Sequence, residues 1–165
     1  MQNRPTEKDE AVKILAAVEV ENMLQKWFKD SAEEPEYDLK EVARYLIERP
    51  SYKNGYELAK DIESEFGFYG IDADLVETLD SVGYAVNKAV IAETKKWVEE
   101  NKIVCPFPIG QKVMVKKDKE EGEVNKIYEG EAKVCVFMPQ KGHVREGTGS
   151  HGCVYKYEDV EPVVC

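Results

Sequence analysis

The chain reads as an α+β protein with its helices first and its strands last, and three observations predict this. Polar residues able to cap a first helical turn precede apolar stretches with three- and four-residue repeats through the first hundred positions. At Asn101 that repeat stops and "IVCPFPIG", with Pro106 and Pro108, takes its place. Beyond it, β-branched and aromatic runs of strand length alternate with glycine or charged turns. The expected layout is an acidic helical domain of about four helices over 1–102, a Pro-containing connector over 103–108, and a small five-stranded β-domain over 109–165.

The first helix is expected soon after Pro5 and Thr6, with Val12, Leu15, Ala16, Val20, Met23, Leu24, Trp27 and Phe28 forming a core-facing stripe. Asp38 with Glu41 opens the second, which presents Val42, Tyr45, Leu46 and Ile47 and stops before Pro50, because proline lacks an amide donor and restricts Arg49. Asn54 with Glu57 opens a third, short helix holding Tyr56, Leu58, Ala59, Ile62 and Phe66. In each pair the first side chain accepts from a free amide and the second reaches back to the cap residue. Asp74 with Glu77 opens the last and longest, running to about Asn101 with Leu75, Leu79, Val82, Val86, Ala89, Val90, Ile91, Trp97 and Val98 along one broad side. Gly83 inside it marks either a close helix crossing, the favoured reading, or a break.

Strands are expected at Lys112–Lys116, Val124–Tyr128, Ala132–Met138 and Cys153–Tyr157, with a hairpin tip at Gly130 and a last apolar segment after the acidic turn at Glu158 and Asp159. Alternation along "CVYKY" puts Cys153, Tyr155 and Tyr157 on one face, where the thiol serves as a small apolar residue. The preceding loop, "QKGHVREGTGSHG", is glycine-rich and expected to be exposed.

With 42% hydrophobic and 34% charged residues, 165 positions suffice to bury a core. No apolar run approaches the roughly 20 residues that cross a bilayer, and "MQNRPTEKDE" lacks the layout of an export signal, so cytoplasmic residence is expected. Cys105, Cys135, Cys153 and Cys165 contain no CxxC pair, which argues against a zinc knuckle, and reduced thiols are the expectation. The net charge of −10 is unevenly spread: residues 1–100 hold 13 Lys+Arg and 23 Asp+Glu, whereas 101–165 hold 10 of each. A field of that sign repels phosphate backbones and draws in cationic surfaces.

Catalytic signals are weak. A Cys153 thiolate paired with His151 or His143 lacks a third orienting group. Cys135, Cys153, His143 and His151 are chemically able to bind zinc but have no favouring spacing. "DADLVETLD" fails as a calcium loop, since the sixth position from Asp72 is Glu77 and the twelfth Gly83. No phosphate-cradling loop or nucleophile elbow is present. No enzymatic activity, metal or cofactor is therefore expected.

"IGQKVMV", "EEGEVNKI", "AKVCVF" and "CVYKYEDVEPV" together resemble a small SH3-like barrel of the KOW and Tudor-like kind. Gly110 precedes the first strand, Gly122 with Val124 opens the second, and the acidic turn leads through Pro162 to Val163, a match over about 109–163. The resemblance implies a barrel whose loops and edges contact RNA or proteins, through Lys116, Lys117, Lys141, His143, Arg145, His151, Tyr155 and Tyr157. The even charge of this region argues against strong nucleic-acid binding. The function expected first is a non-enzymatic adaptor or inhibitor docking on a basic, nucleic-acid-binding protein surface through Glu33, Glu34, Glu36, Asp38, Asp61, Glu65, Asp72 and Asp80. In size and charge alone the chain is similar to the acidic phage and mobile-element proteins that block restriction or CRISPR machinery. The alternative is a nucleic-acid- or ribosome-associated protein acting through the barrel.

Overall fold

A computed structural model describes residues 3–31, 37–49, 53–68, 70–142, 145–146, 149–150 and 152–163. It has the expected α+β layout: helices α1 (Glu10–Ser31), α2 (Leu39–Ile47), α3 (Gly55–Phe66), α4 (Ala73–Asp80) and α5 (Val82–Asn101) precede the strands. These are β1 (Lys112–Val115), β2 (Glu120–Tyr128), β3 (Lys133–Phe137), β4 (Arg145–Glu146), β5 (Gly149–Ser150), β6 (Cys153–Lys156) and β7 (Val160–Pro162). The chain groups into two compact units, Arg4–Glu93 and a second formed chiefly by Thr94–Cys165, so the division falls inside α5.

Capping explains where the helices of the first unit begin. Asp38 accepts from the Lys40 amide, and Asn54 and Glu57 form the full reciprocal box at α3. At α4 the cap is Asp72, accepting from the Leu75 amide at 2.7 Å, rather than the expected Asp74. Asp72 has the extended backbone a cap needs (φ −112°, ψ 177°), and Asp74 falls in the first turn. The long last helix expected from Asp74 is two helices. Ser81 donates to Leu79 and Thr78 carbonyls, closing α4, while its own carbonyl receives the Ala85 amide, opening α5. Gly83 does not mark a close crossing, since an added Cβ there would meet nothing within 4 Å.

Val20, Leu24, Val42, Leu46, Ile62, Leu75 and Leu79 form the centre of this unit's core, each at most 1% exposed. Trp27, Phe28 and Phe68 pack edge to face or tilted beside them, at centroid distances of 4.8 to 5.8 Å. Leu15, expected in the core stripe, is instead 37% exposed.

In the second unit five strands make one antiparallel sheet in the order β6-β3-β2-β1-β7, and β4 pairs with β5 separately. A single 3-10 turn, Tyr157–Asp159, links β6 to β7. Strand β2 starts four residues earlier than expected. Gly122 lies inside it opposite Val113, where an added Cβ would stand 2.4 Å from Val136 Cγ1. Val113, Val115, Val124, Val134, Val136 and Met138 are almost fully buried, and Val98 of α5 and Phe107 of the expected connector belong to the same core. The α5 end is closed by Lys102 in the left-handed region (φ 51°), with Ile103 donating to Val98 O and Lys102 to Glu99 O.

Candidate functional site

The acidic residues singled out from sequence separate into three groups. Glu33, Glu34 and Glu36 lie outside the described residues. Asp38, Asp61, Asp72 and Asp80 have structural partners: Asp38 and Asp72 cap helices, Asp61 pairs with Lys53, and Asp80 accepts from the Gly55 amide at the start of α3. A carboxylate at that position also faces the positive end of the helix dipole. Glu65 is exposed on α3 and has no partner among the described residues. Capping does not discharge a carboxylate, and Asp38, Asp72 and Asp80 all remain exposed.

The fold gathers charge most clearly where α4 lies along the second half of α1. Asp72, Asp74 and Glu77 from the α4 side face Asp30 and Lys26 of α1 across an open groove of 490 Å³. Met23 and Trp27 supply its apolar wall, and Trp27 is 7% exposed because its ring is shared with the aromatic core. Four carboxylates thus face one lysine beside an apolar surface, an arrangement suited to guanidinium or ammonium groups with apolar stems. Asp30 was missing from the sequence expectation, and Met23 and Trp27 were expected only as core residues. Their signal was the spacing: positions 23, 27 and 30 fall on one face of a helix.

The cationic set of the second unit is less available. Lys141 stands between Glu120, at 2.5 Å, and Asp118, at 3.4 Å, and the Glu120 hydrogen bond holds its pKa above the usual lysine range. Lys116 Nζ donates to the Glu158 carbonyl at 2.7 Å, while Lys117 is exposed. Arg145 lies in β4, and His143 and His151 lie outside the described residues. Tyr157 is buried in the core at 8% exposure, which removes it as a stacking platform. Tyr155 is half-buried against that core, and burial, then its bond to Cys153, raises its pKa.

The thiols follow the same pattern. Cys153 packs partly against the core beside Tyr155, and Cys135 is buried, its pKa pushed up first by desolvation. Gly152 leaves room for the Cys135 sulfur, which an added Cβ would approach to 2.7 Å. Among the described residues no three His, Cys, Asp or Glu side chains are grouped to hold a metal ion, and no helix is long and apolar enough to cross a membrane. No family model, curated protein or solved structure matches this chain.

Proposed function

We propose that the chain is a non-enzymatic interaction protein, an adaptor or inhibitor whose acidic helical surface docks on a basic face of a nucleic-acid-binding partner. The observation that carries this reading is the α1–α4 groove, where Asp30, Asp72, Asp74 and Glu77 outnumber Lys26 beside an apolar wall. Arginine or lysine side chains that ordinarily contact phosphate would find carboxylates there, with Met23 and Trp27 to cover their stems. Electrostatic attraction would chiefly speed the encounter, and the apolar wall would slow release. The acidic stretch at Glu33, Glu34 and Glu36 extends the same sign along the chain between α1 and α2.

The second unit is proposed to be an SH3-like barrel. Its strand order and the single 3-10 turn before the last strand support that likeness. A direct nucleic-acid role for it is the lesser reading, favoured by exposed Lys112, Lys117 and Lys119 but weakened by the pairing of Lys141.

Capture of basic nucleic-acid-binding proteins from extract, with identification by mass spectrometry, tests the first reading. Asp74→Lys with Glu77→Lys is expected to lower capture about tenfold, and reversal at Glu33, Glu34 and Glu36 to lower it further, whereas Lys116→Glu with Lys117→Glu leaves it unchanged. Equal loss from both sets would sink the proposal. For the second reading, a gel shift that weakens as salt rises is required, and no shift at low salt dismisses it.

A further inference from the structure

Helix α1 carries two apolar faces, and the described residues of the helical unit cover only one. Val12, Ala16, Val20 and Leu24 recur every fourth residue and are each 1% exposed. Ala11, Ile14, Leu15 and Val18 form a second stripe at the i, i+3, i+4, i+7 spacing by which helices meet. Ile14 is 53%, Leu15 37% and Val18 51% exposed, and Ala11 is exposed as well. Lys13 is the only polar residue between Ala11 and Val18. A helix apolar around most of its circumference is normally enclosed.

The stripe borders a groove of 320 Å³ between α1 and α2, in which Ala17 and Ile47 join Ile14 and Val18. Its charged rim is evenly mixed, with Lys13, Lys40 and Arg44 against Glu10, Glu21 and Glu48. That balance is unusual for this unit, since Arg4–Glu93 hold 21 Asp+Glu against 11 Lys+Arg. A strongly cationic partner calls for a net acidic rim and an anionic membrane surface for a net basic one, and this rim is neither. Two copies of an acidic protein repel one another except where a patch is neutral, and a patch holding both signs in equal number can serve as its own complement.

From these features we infer that the α1–α2 face is an isologous interface, on which the Ile14–Val18 stripe of a second copy of this chain seats. The inference is independent of the α1–α4 groove and of the docking function proposed for it. A face this small belongs at the low end of specific interfaces, below about 1,200 Å² in total, so the pair should be reversible with a micromolar dissociation constant.

Sedimentation equilibrium of the full chain over a hundredfold concentration range tests it, with helical circular dichroism and melting temperature recorded alongside. Wild-type protein is expected to pass from monomer to dimer. Ile14→Glu with Val18→Glu should raise the dissociation constant at least tenfold while leaving melting of the monomer, recorded well below the dissociation constant, unchanged; should that pair not fold, Ile14→Gln with Val18→Gln makes the same test with a smaller shift. A wild type that stays monomeric overturns the inference. In that case variants that melt earlier indicate a face covered within the chain, and variants with unchanged melting indicate a different partner. A dimer indifferent to both pairs overturns it equally.

Discussion

In the helical unit the two described left-handed residues are glycines, Gly67 closing α3 at φ 68° and Gly70 beyond it; in the sheet unit Lys102, Lys119 and Ala132 occupy that region alongside Gly110 and Gly142. The same job, ending a helix, is done by Gly67 in one unit and by Lys102 in the other. A side chain in this region costs about 1 kcal/mol relative to glycine, so the sheet unit holds local strain that the helical unit avoids. The cost is met by packing: Val98 and Ile103, either side of Lys102, belong to the sheet core, and Ala132 is 1% exposed within it. Local chemistry sets the chain direction in the helical unit, and tertiary burial overrides it in the sheet unit.

Glycine at close approaches sharpens the contrast and gives the largest expected effects. A Cβ on Gly55 would stand 2.0 Å from Val76 O and 2.8 Å from Asp80 N, which are backbone atoms that cannot step aside. Gly55→Ala is therefore expected to lower stability by about 3 kcal/mol in urea unfolding, the upper end for overpacking. At Gly122 one of the three close atoms, the Phe137 carbonyl oxygen at 2.8 Å, is backbone, while Val136 Cγ1 and Met138 Cγ belong to side chains, so Gly122→Ala should cost somewhat less, about 2 kcal/mol. A Gly122 effect larger than that of Gly55 would break the distinction between rigid and yielding neighbours.

Next in size, Asn54→Ala removes the side-chain half of the α3 capping box, leaving the Glu57 carboxylate on the backbone amide of residue 54, and should cost about 1 kcal/mol by the same measurement. In the opposite direction, Lys102→Gly should gain up to about 1 kcal/mol, read as a higher melting temperature. A loss at Lys102 would show that the left-handed lysine is held there by contacts worth more than its strain.

The smallest effects concern pH, and their signs differ between the units. Hydrogen bonds from Thr6 depress the Asp9 pKa, so its contribution is present above the unfolded value and lost as pH falls through the folded one. Burial raises the Cys135 pKa, so its contribution is present below the unfolded value and lost as pH rises through the folded one. Asp9→Asn should flatten the acid limb of a melting-temperature profile, and Cys135→Ala the alkaline limb. Effects on the wrong limbs would refute these assignments.

Much of the order of elements is legible in the residues themselves. Capping at Asn54, the apolar repeats of α1 and α2, and the change of period near Asn101 are local signals, and each element stands where they fall. Expectation and fold part where two local signals compete. Asp72 and Asp74 both suit a cap, and only the chain path into α4 chose the first. Gly83 and Ser81 both suit an irregularity, and the hydrogen bonds fall to Ser81. The candidate groove is half legible: its α4 carboxylates stand out by density, whereas Asp30 and Trp27 on α1 become neighbours of them only through packing.

By itself, then, the sequence determined what depends on residues a few positions apart: the helical and strand periods, the caps, and the excess of carboxylates before residue 101. Tertiary structure alone decided which carboxylates share a groove, which glycines are irreplaceable, and which of the apolar faces of α1 remains open. Those outcomes rest on contacts between residues far apart in the chain, where distance and burial rather than local propensity determine the free energy.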